Sequence, residues 1–234
     1  MRPRPPTRRV APLGRPLLVL NLKGYPSAIG ARADRLTGLL EKASRAAGVA
    51  AAVVPSLPDL GRLAASSRLP VLSPHADGCA AGACTGWVVP EAIAAAGARG
   101  SLLNHSEHRL PAREVAGTVE RLHARGLCAV VCARDSAEVA RFGRSRPEYV
   151  AVEPPELIGG KVSVSSARPE LIADSARSLA RVHPRGTLLC GAGVHNRQDV
   201  RVALRLGASG ILVSSAIARA PRPARAIAEL LTGF

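Results

Sequence analysis

The segment GLCAVVCARDSAEVARFGRSRPEYVAVE, Gly126 to Glu153, decides the fold. Leu127 to Ala133 is an unbroken run of small and branched apolar residues of strand length, the pattern of a strand buried on both faces. Ser136 to Phe142 then spaces its apolar residues at helical intervals, and Glu148 to Val152 is a second apolar strand. Strand, helix and strand in so short a stretch form a crossover unit, with the helix covering one face of a parallel sheet.

The same alternation continues outward in both directions. Further strands are predicted at Leu17 to Leu22, Ala50 to Val54, Pro70 to Ser73, Gly100 to Asn104, Thr187 to Gly191 and Gly210 to Val213. Helices are predicted at Ser27 to Ala47, Pro58 to Ser66, Pro90 to Ala96, Ala112 to Arg125, Pro169 to Val182, Arg197 to Leu206 and Arg222 to Leu231. Gly48, Gly97, Gly126 and Gly207 stand just past four of these helices, where a left-handed closing residue is wanted, and Pro90 and Pro169 stand near the starts of two others. Eight such units predict an α/β chain folded as a (β/α)8 barrel with some shortened helices, although a doubly wound open sheet has the same periodicity. At 234 residues the chain is slightly smaller than the ~250 typical of the barrel.

Composition fits one such domain over residues 16–234. Apolar residues make up 47% of the chain, ample for a large core, and aromatics only 2%, so the core must be built from Ala, Val, Leu and Ile. Residues 1–15 hold five Arg and no acid and are expected to form a disordered basic arm. Arg8-Arg9 resembles a twin-arginine export signal, but Pro12 and Pro16 break the apolar stretch behind it, so export is not expected. No apolar run approaches the ~20 residues needed to span a bilayer.

The net charge of +15 invites a search for a nucleic-acid surface. Lys23, Lys42 and Lys161 are the only lysines, every other basic residue is a scattered Arg, and no aromatics interleave with them to stack bases. A nucleic-acid partner is therefore not expected. Because Arg is the default cation here, a Lys at a strand end suggests a need for a compact ammonium. Five cysteines are an odd set that favours free thiols, a reducing compartment and hence the cytoplasm. His75, Cys79 and Cys84 lack the second close pair of ligands that a structural zinc site requires, so no metal is assigned.

In a barrel of this kind chemistry gathers at the carboxyl ends of the strands. Asn21 and Lys23 end the first strand, His105 and Glu107 follow the fourth, and Glu153 follows the sixth. A carboxylate, an imidazole and an ammonium at one mouth suit proton abstraction beside a carbonyl, with Glu153 as base and the other groups steadying an enolate. The stretch Glu153-Pro154-Pro155-Glu156-Leu157-Ile158-Gly159-Gly160 has the stiff and loose ends of a hinged lid, and equally those of a plain surface loop. Ser106 is a capping residue type, so the His105 ring is expected at a helix amino end that favours its neutral form. Glu107 is expected to pair with Lys23 or Arg109. Cys190-Gly191-Ala192-Gly193 and Ser214-Ser215-Ala216 follow strands seven and eight, where barrels of this fold bind phosphate with backbone amides.

From about Leu17 onward the chain resembles the triosephosphate isomerases, in particular their shorter archaeal-type branch. The resemblance rests on Asn21-Leu22-Lys23-Gly24-Tyr25, Thr85-Gly86, Leu103-Asn104-His105-Ser106-Glu107, Glu153 to Gly159, Cys190 to Gly193 and Gly210 to Ala216, in the family's order. It implies a TIM barrel that interconverts dihydroxyacetone phosphate and glyceraldehyde 3-phosphate through an enediol, without metal or organic cofactor. It also implies Glu153 as general base, His105 as neutral electrophile, Lys23 as electrostatic partner and Asn21 lining the site. That assignment follows a pattern of which this family is itself the standard example. The amides of Gly159, Gly193, Ser214 and Ser215 would hold the substrate phosphate, with Glu107, Ser106 and Thr85 in support. Thr85-Gly86 would reach a neighbouring subunit, implying a homo-oligomer, a tetramer or dimer. The chain departs from the family at Gly24, where a Thr is usual, at Val152, at His108 and at Gly160-Lys161. Another small ketose phosphate, such as a tetrulose phosphate, is the nearest alternative substrate; a non-catalytic phosphate-binding barrel is the alternative of a different class.

Overall fold

Eight parallel strands run side by side in the order β2-β1-β8-β7-β6-β5-β4-β3 in the computed structural model, which describes residues 10–154 and 168–234. They are β1 (Leu17–Asn21), β2 (Ala50–Val54), β3 (Leu72–Ser73), β4 (Gly100–Leu103), β5 (Cys128–Ala133), β6 (Tyr149–Val152), β7 (Thr187–Cys190) and β8 (Gly210–Val213). The two outermost strands meet: Val53 and Val71 form a parallel bridge, and the Val53 N–H donates to the Pro70 carbonyl at 3.0 Å. The sheet thus curls into a barrel, and the open-sheet alternative falls away. The β2–β3 seam is short because β3 has two residues rather than the predicted Pro70 to Ser73. Proline lacks the N–H that a ladder position requires, so Pro70 offers its carbonyl alone.

Alternation along each strand builds two cores. Leu17, Val19, Ala52, Val54, Leu72, Leu102, Val130, Tyr149, Ala151, Leu189 and Leu212 fill the barrel interior. Their neighbours Leu18, Leu20, Val53, Leu103, Val131, Val150, Leu188 and Ile211 face outward, beneath the helices. The helices follow the predicted order with shifted ends. Helix Ala31–Ala47 starts later than predicted because Pro26–Ala28 forms a 3-10 turn and Gly30 takes φ 59°, a conformation that interrupts helical hydrogen bonding. Leu60–Ser66 and Pro90–Ala95 are short, as expected for some helices of this barrel.

Of the basic arm expected over residues 1–15, the described part is docked on the barrel. Residues 1–9 lie outside the described residues, but Leu13 is buried against the floor of the barrel interior. The Leu13 N–H donates to the Tyr149 hydroxyl at 3.0 Å, and that hydroxyl donates to the Gly14 carbonyl at 3.1 Å. Tyr149 thereby satisfies its polar end at the opening opposite the carboxyl ends of the strands, and the chain before β1 closes that opening. No described helix is long and apolar enough to cross a membrane.

Candidate active site

Period-two alternation carries the interior face past the strand ends and so aims two site residues. Leu17 and Val19 point into the barrel and Asn21 continues the series; Tyr149 and Ala151 do the same for Glu153. One pocket at the carboxyl ends of the strands is lined by Asn21, Lys23, His105, Glu153, Gly193, Ser214 and Ser215. The four residues predicted to do the chemistry and three of the four predicted to bind phosphate therefore share a single cavity. Gly159, the fourth, lies outside the described residues, as do Pro155, Gly160 and Lys161.

Lys23 sits just beyond β1 with φ 53°, a left-handed backbone held by its N–H donating to Asn21 Oδ1 at 3.0 Å. Asn21 thus orients Lys23. The ammonium meets Glu107 Oε1 at 2.7 Å, so Glu107 takes the Lys23 option. Arg109 instead forks both carboxylate oxygens of Glu138 at 2.6 Å, which ties the chain after β4 to helix Ser136–Gly143.

The helix amino end expected beside His105 is absent. Ser106 caps no helix; it belongs to a tight turn in which the His108 N–H donates to the His105 carbonyl at 2.8 Å, and the next helix begins at Ala112. The ring's tautomer is set by the Glu107 N–H, which donates to Nδ1 at 3.2 Å. A neutral imidazole that accepts at Nδ1 carries its proton on Nε2. That nitrogen faces the pocket, 3.7 Å from Glu153 Oε1.

Glu153 is buried, and Oε2 has no hydrogen-bond partner among the described residues. Burial pushes its pKa above the ordinary carboxylate range; His105, the Cys132 thiol and Lys23 act in the opposite direction. Cys132 is itself held protonated, by burial first and by Glu153 second. Burial that raises the pKa and an oxygen without a partner among the described residues both favour proton acceptance by this carboxylate.

Also lining the pocket, the Ser214 hydroxyl is buried without a partner among the described residues, and Ser215 opens the short helix Ser215–Ala218. The first amides of a helix have no partner within it, so they can face an anionic group together with the backbone at Gly193, which takes φ 62°. Among the described residues no cluster of His, Cys, Asp and Glu could hold a metal. A carbonyl compound between Glu153 and His105 would lose a proton to the carboxylate and receive a hydrogen bond from Nε2–H, with the Lys23 ammonium beside the developing charge.

Two predicted supporting residues stand elsewhere. Thr85 is exposed in the loop before the Pro90–Ala95 helix and does not line the pocket. The Ser106 hydroxyl is buried without a partner among the described residues. His108, one of the departures, stacks on His75 with ring centroids 4.2 Å apart, and His75 Nε2 meets Asp77 Oδ1 at 3.0 Å. Sequence reasoning missed Asn104, whose Nδ2 donates to the Cys132 carbonyl at 2.8 Å while its Oδ1 accepts from the Leu110 N–H at 2.9 Å. It also missed Gly191, whose lack of a side chain makes room for Glu153. The Gly-Ala-Gly pattern held a signal for the second; nothing in the residue types marked the first.

The family model described as triosephosphate isomerase matches residues 16–230. A triosephosphate isomerase of Cenarchaeum symbiosum (strain A) is 47% identical over 216 residues, covering 92% of this chain and 96% of the relative. Triosephosphate isomerases of Methanosarcina barkeri and Methanothermus fervidus are 40% and 36% identical, each over 94% of this chain and 99% of the relative.

Proposed function

The chain belongs to the triosephosphate isomerase family, and from that premise we propose that Glu153, His105, Lys23 and Asn21 interconvert dihydroxyacetone phosphate and glyceraldehyde 3-phosphate. The enzyme is an aldose–ketose isomerase acting on triose phosphates. Glu153 removes the proton from the carbon beside the carbonyl while His105 gives its Nε2 proton to the carbonyl oxygen; the protonated carboxyl then returns its proton to the neighbouring carbon as His105 Nε2 takes back a proton from the other hydroxyl of the enediol. Lys23 stabilises the negative charge that develops on the carbonyl oxygen as the proton leaves carbon, and Asn21 fixes the Lys23 backbone. Ser214, Ser215, Gly193 and Gly159 hold the phosphate, and Glu107 positions Lys23. Proton transfer needs no metal or organic cofactor.

The single observation that carries this reading is the facing pair, Glu153 Oε1 and His105 Nε2, 3.7 Å apart in one pocket with Lys23. We further assign the enzyme to the cytoplasm on its free thiols and to a homo-oligomer, tetramer or dimer. The exposed Thr85-Gly86 loop, with Trp87 58% exposed beside it, would be the contact between subunits. A coupled assay on dihydroxyacetone phosphate and on four-carbon ketose phosphates tests the assignment. The three-carbon pair is expected to turn over fastest, and Glu153→Ala to lower kcat by several orders of magnitude while a phosphate ligand still binds. Preferential turnover of a four-carbon sugar would overturn the substrate, and full activity without Glu153 the mechanism.

A further inference from the structure

Asp77 clamps the base of the loop between β3 and the Pro90–Ala95 helix: its N–H donates to the Val88 carbonyl at 2.8 Å, and its Oδ2 accepts from the Val88 N–H at 2.6 Å. Between these points the chain turns back on itself. The Cys84 N–H donates to the Gly82 carbonyl at 2.8 Å, with Gly82 at φ 154°, a conformation that favours glycine. The Cys84 thiol folds over the turn and donates to the Ala80 carbonyl at 3.0 Å, one residue from Cys79. Cys79 and Cys84 thus stand at the two ends of one tight turn, and both are partly exposed. Cys128, Cys132 and Cys190, by contrast, are buried, and burial holds all three protonated, Cys190 at about 12. Solvent access and a partner thiol therefore coincide, among the described residues, only at Cys79 and Cys84.

We propose that Cys79 and Cys84 are a redox modification site, at which a low-molecular-weight disulfide converts the two thiols into an intramolecular disulfide closing the ring from residue 79 to residue 84. The Cys84 thiolate attacks one sulfur of the small disulfide, forming a mixed disulfide and releasing one small thiol. Cys79 then loses its proton to solvent and attacks Sγ of Cys84, which expels the second small thiol. The protein loses two hydrogens, and the reagent's disulfide gains them as two thiols. Cys84 attacks first because burial, and after it the neighbouring thiol, push the Cys79 thiol up and deplete its thiolate. The Asp77–Val88 clamp lies outside the ring, and neither cysteine lines the catalytic pocket. The modification therefore acts on the exposed loop carrying Thr85 and Trp87, and it does not rest on the isomerase reading.

Peptide mapping of the full chain tests this. Cys79 and Cys84 fall on one tryptic peptide, Leu69 to Arg99. After incubation with glutathione disulfide and alkylation under denaturing conditions, that peptide is expected to be two hydrogens lighter and unalkylated, and to become doubly alkylated if dithiothreitol precedes the alkylation. Peptides bearing Cys128, Cys132 and Cys190 are expected to be alkylated throughout. Cys79→Ser is expected to accumulate glutathione on Cys84. If both thiols stay alkylatable, or the wild type accumulates the mixed disulfide, the proposal is overturned.

Discussion

A Cβ on Gly191 would lie 2.4 Å from Glu153 Cγ and 3.1 Å from its Cδ and Oε1. The Glu153 side chain, the proposed base, therefore occupies space that exists only because residue 191 has no side chain. The backbone there cannot readily retreat, since the Gly191 N–H donates to the Val152 carbonyl at 2.9 Å within the barrel ladder. Gly191→Ala should displace the carboxyl instead. A displacement of about 1 Å costs on the order of 10²-fold in rate, so kcat should fall by about that factor with a smaller change in KM. Steady-state kinetics check this, and a wild-type kcat in the Ala variant would contradict this account of how Glu153 is placed.

Glu153 also sets a trade between activity and stability. Its pKa is raised in the native state, by burial first. The native protein therefore holds this proton more tightly than the unfolded chain, whose Glu titrates near an ordinary value of about 4.3. Below that value both states are protonated and burial of the charge costs nothing. As pH rises through the raised native value, ionising the buried carboxyl costs stability. Glu153→Gln should consequently raise Tm relative to wild type at neutral pH, with the difference shrinking as pH falls towards about 4, while isomerase activity is lost. Thermal melts across that range, paired with activity at each pH, decide it. An equal difference at every pH would point to packing rather than charge.

The aim of Asn21 and Glu153 was legible in the sequence because period-two alternation needs no knowledge of neighbours: each continues an interior-facing series past its strand end. The place of His105 in the pocket was legible, but its tautomer was not. The helix amino end expected after Ser106 is absent, and the ring's donor is the Glu107 backbone N–H, available only because residues 105–108 form a tight turn. Asn104 escaped notice for the same kind of reason: its φ of 58° and its reach to the Cys132 carbonyl depend on the strand next door. The docking of Leu13 was hidden among arginines and prolines, since one apolar residue in a basic segment carries no periodicity.

Tyr149 gives a test of that docking. Its hydroxyl accepts from the Leu13 N–H and donates to the Gly14 carbonyl at the end of the barrel opposite the pocket. Tyr149→Phe keeps the ring in the core and removes both bonds, leaving a backbone donor and acceptor to find other partners. The expected loss is about 1–3 kcal/mol of stability, with kcat and KM unchanged. Denaturant titration and steady-state assays measure the two sides of this statement. A change in kcat at unchanged stability would contradict the separation of floor from mouth.

Asn104 is expected to act on stability and rate together. It lies immediately before His105 with a left-handed backbone, and its two side-chain hydrogen bonds hold the turn to β5 on one side and to Leu110 on the other. Asn104→Gly tolerates the same φ, so it isolates the loss of those bonds from backbone strain. Leaving the buried Cys132 carbonyl and Leu110 N–H without their partner should cost about 1–3 kcal/mol. Loosening the residue next to His105 should also lower kcat by about tenfold, since each factor of ten in rate is only about 1.4 kcal/mol at the transition state. Asn104→Asp keeps an acceptor for Leu110 but turns a carboxylate oxygen towards the Cys132 carbonyl, so it should be no better than glycine in either measurement. If Asn104→Asp restored wild-type kcat, the bond from Nδ2 to Cys132 would not be what holds His105 in register.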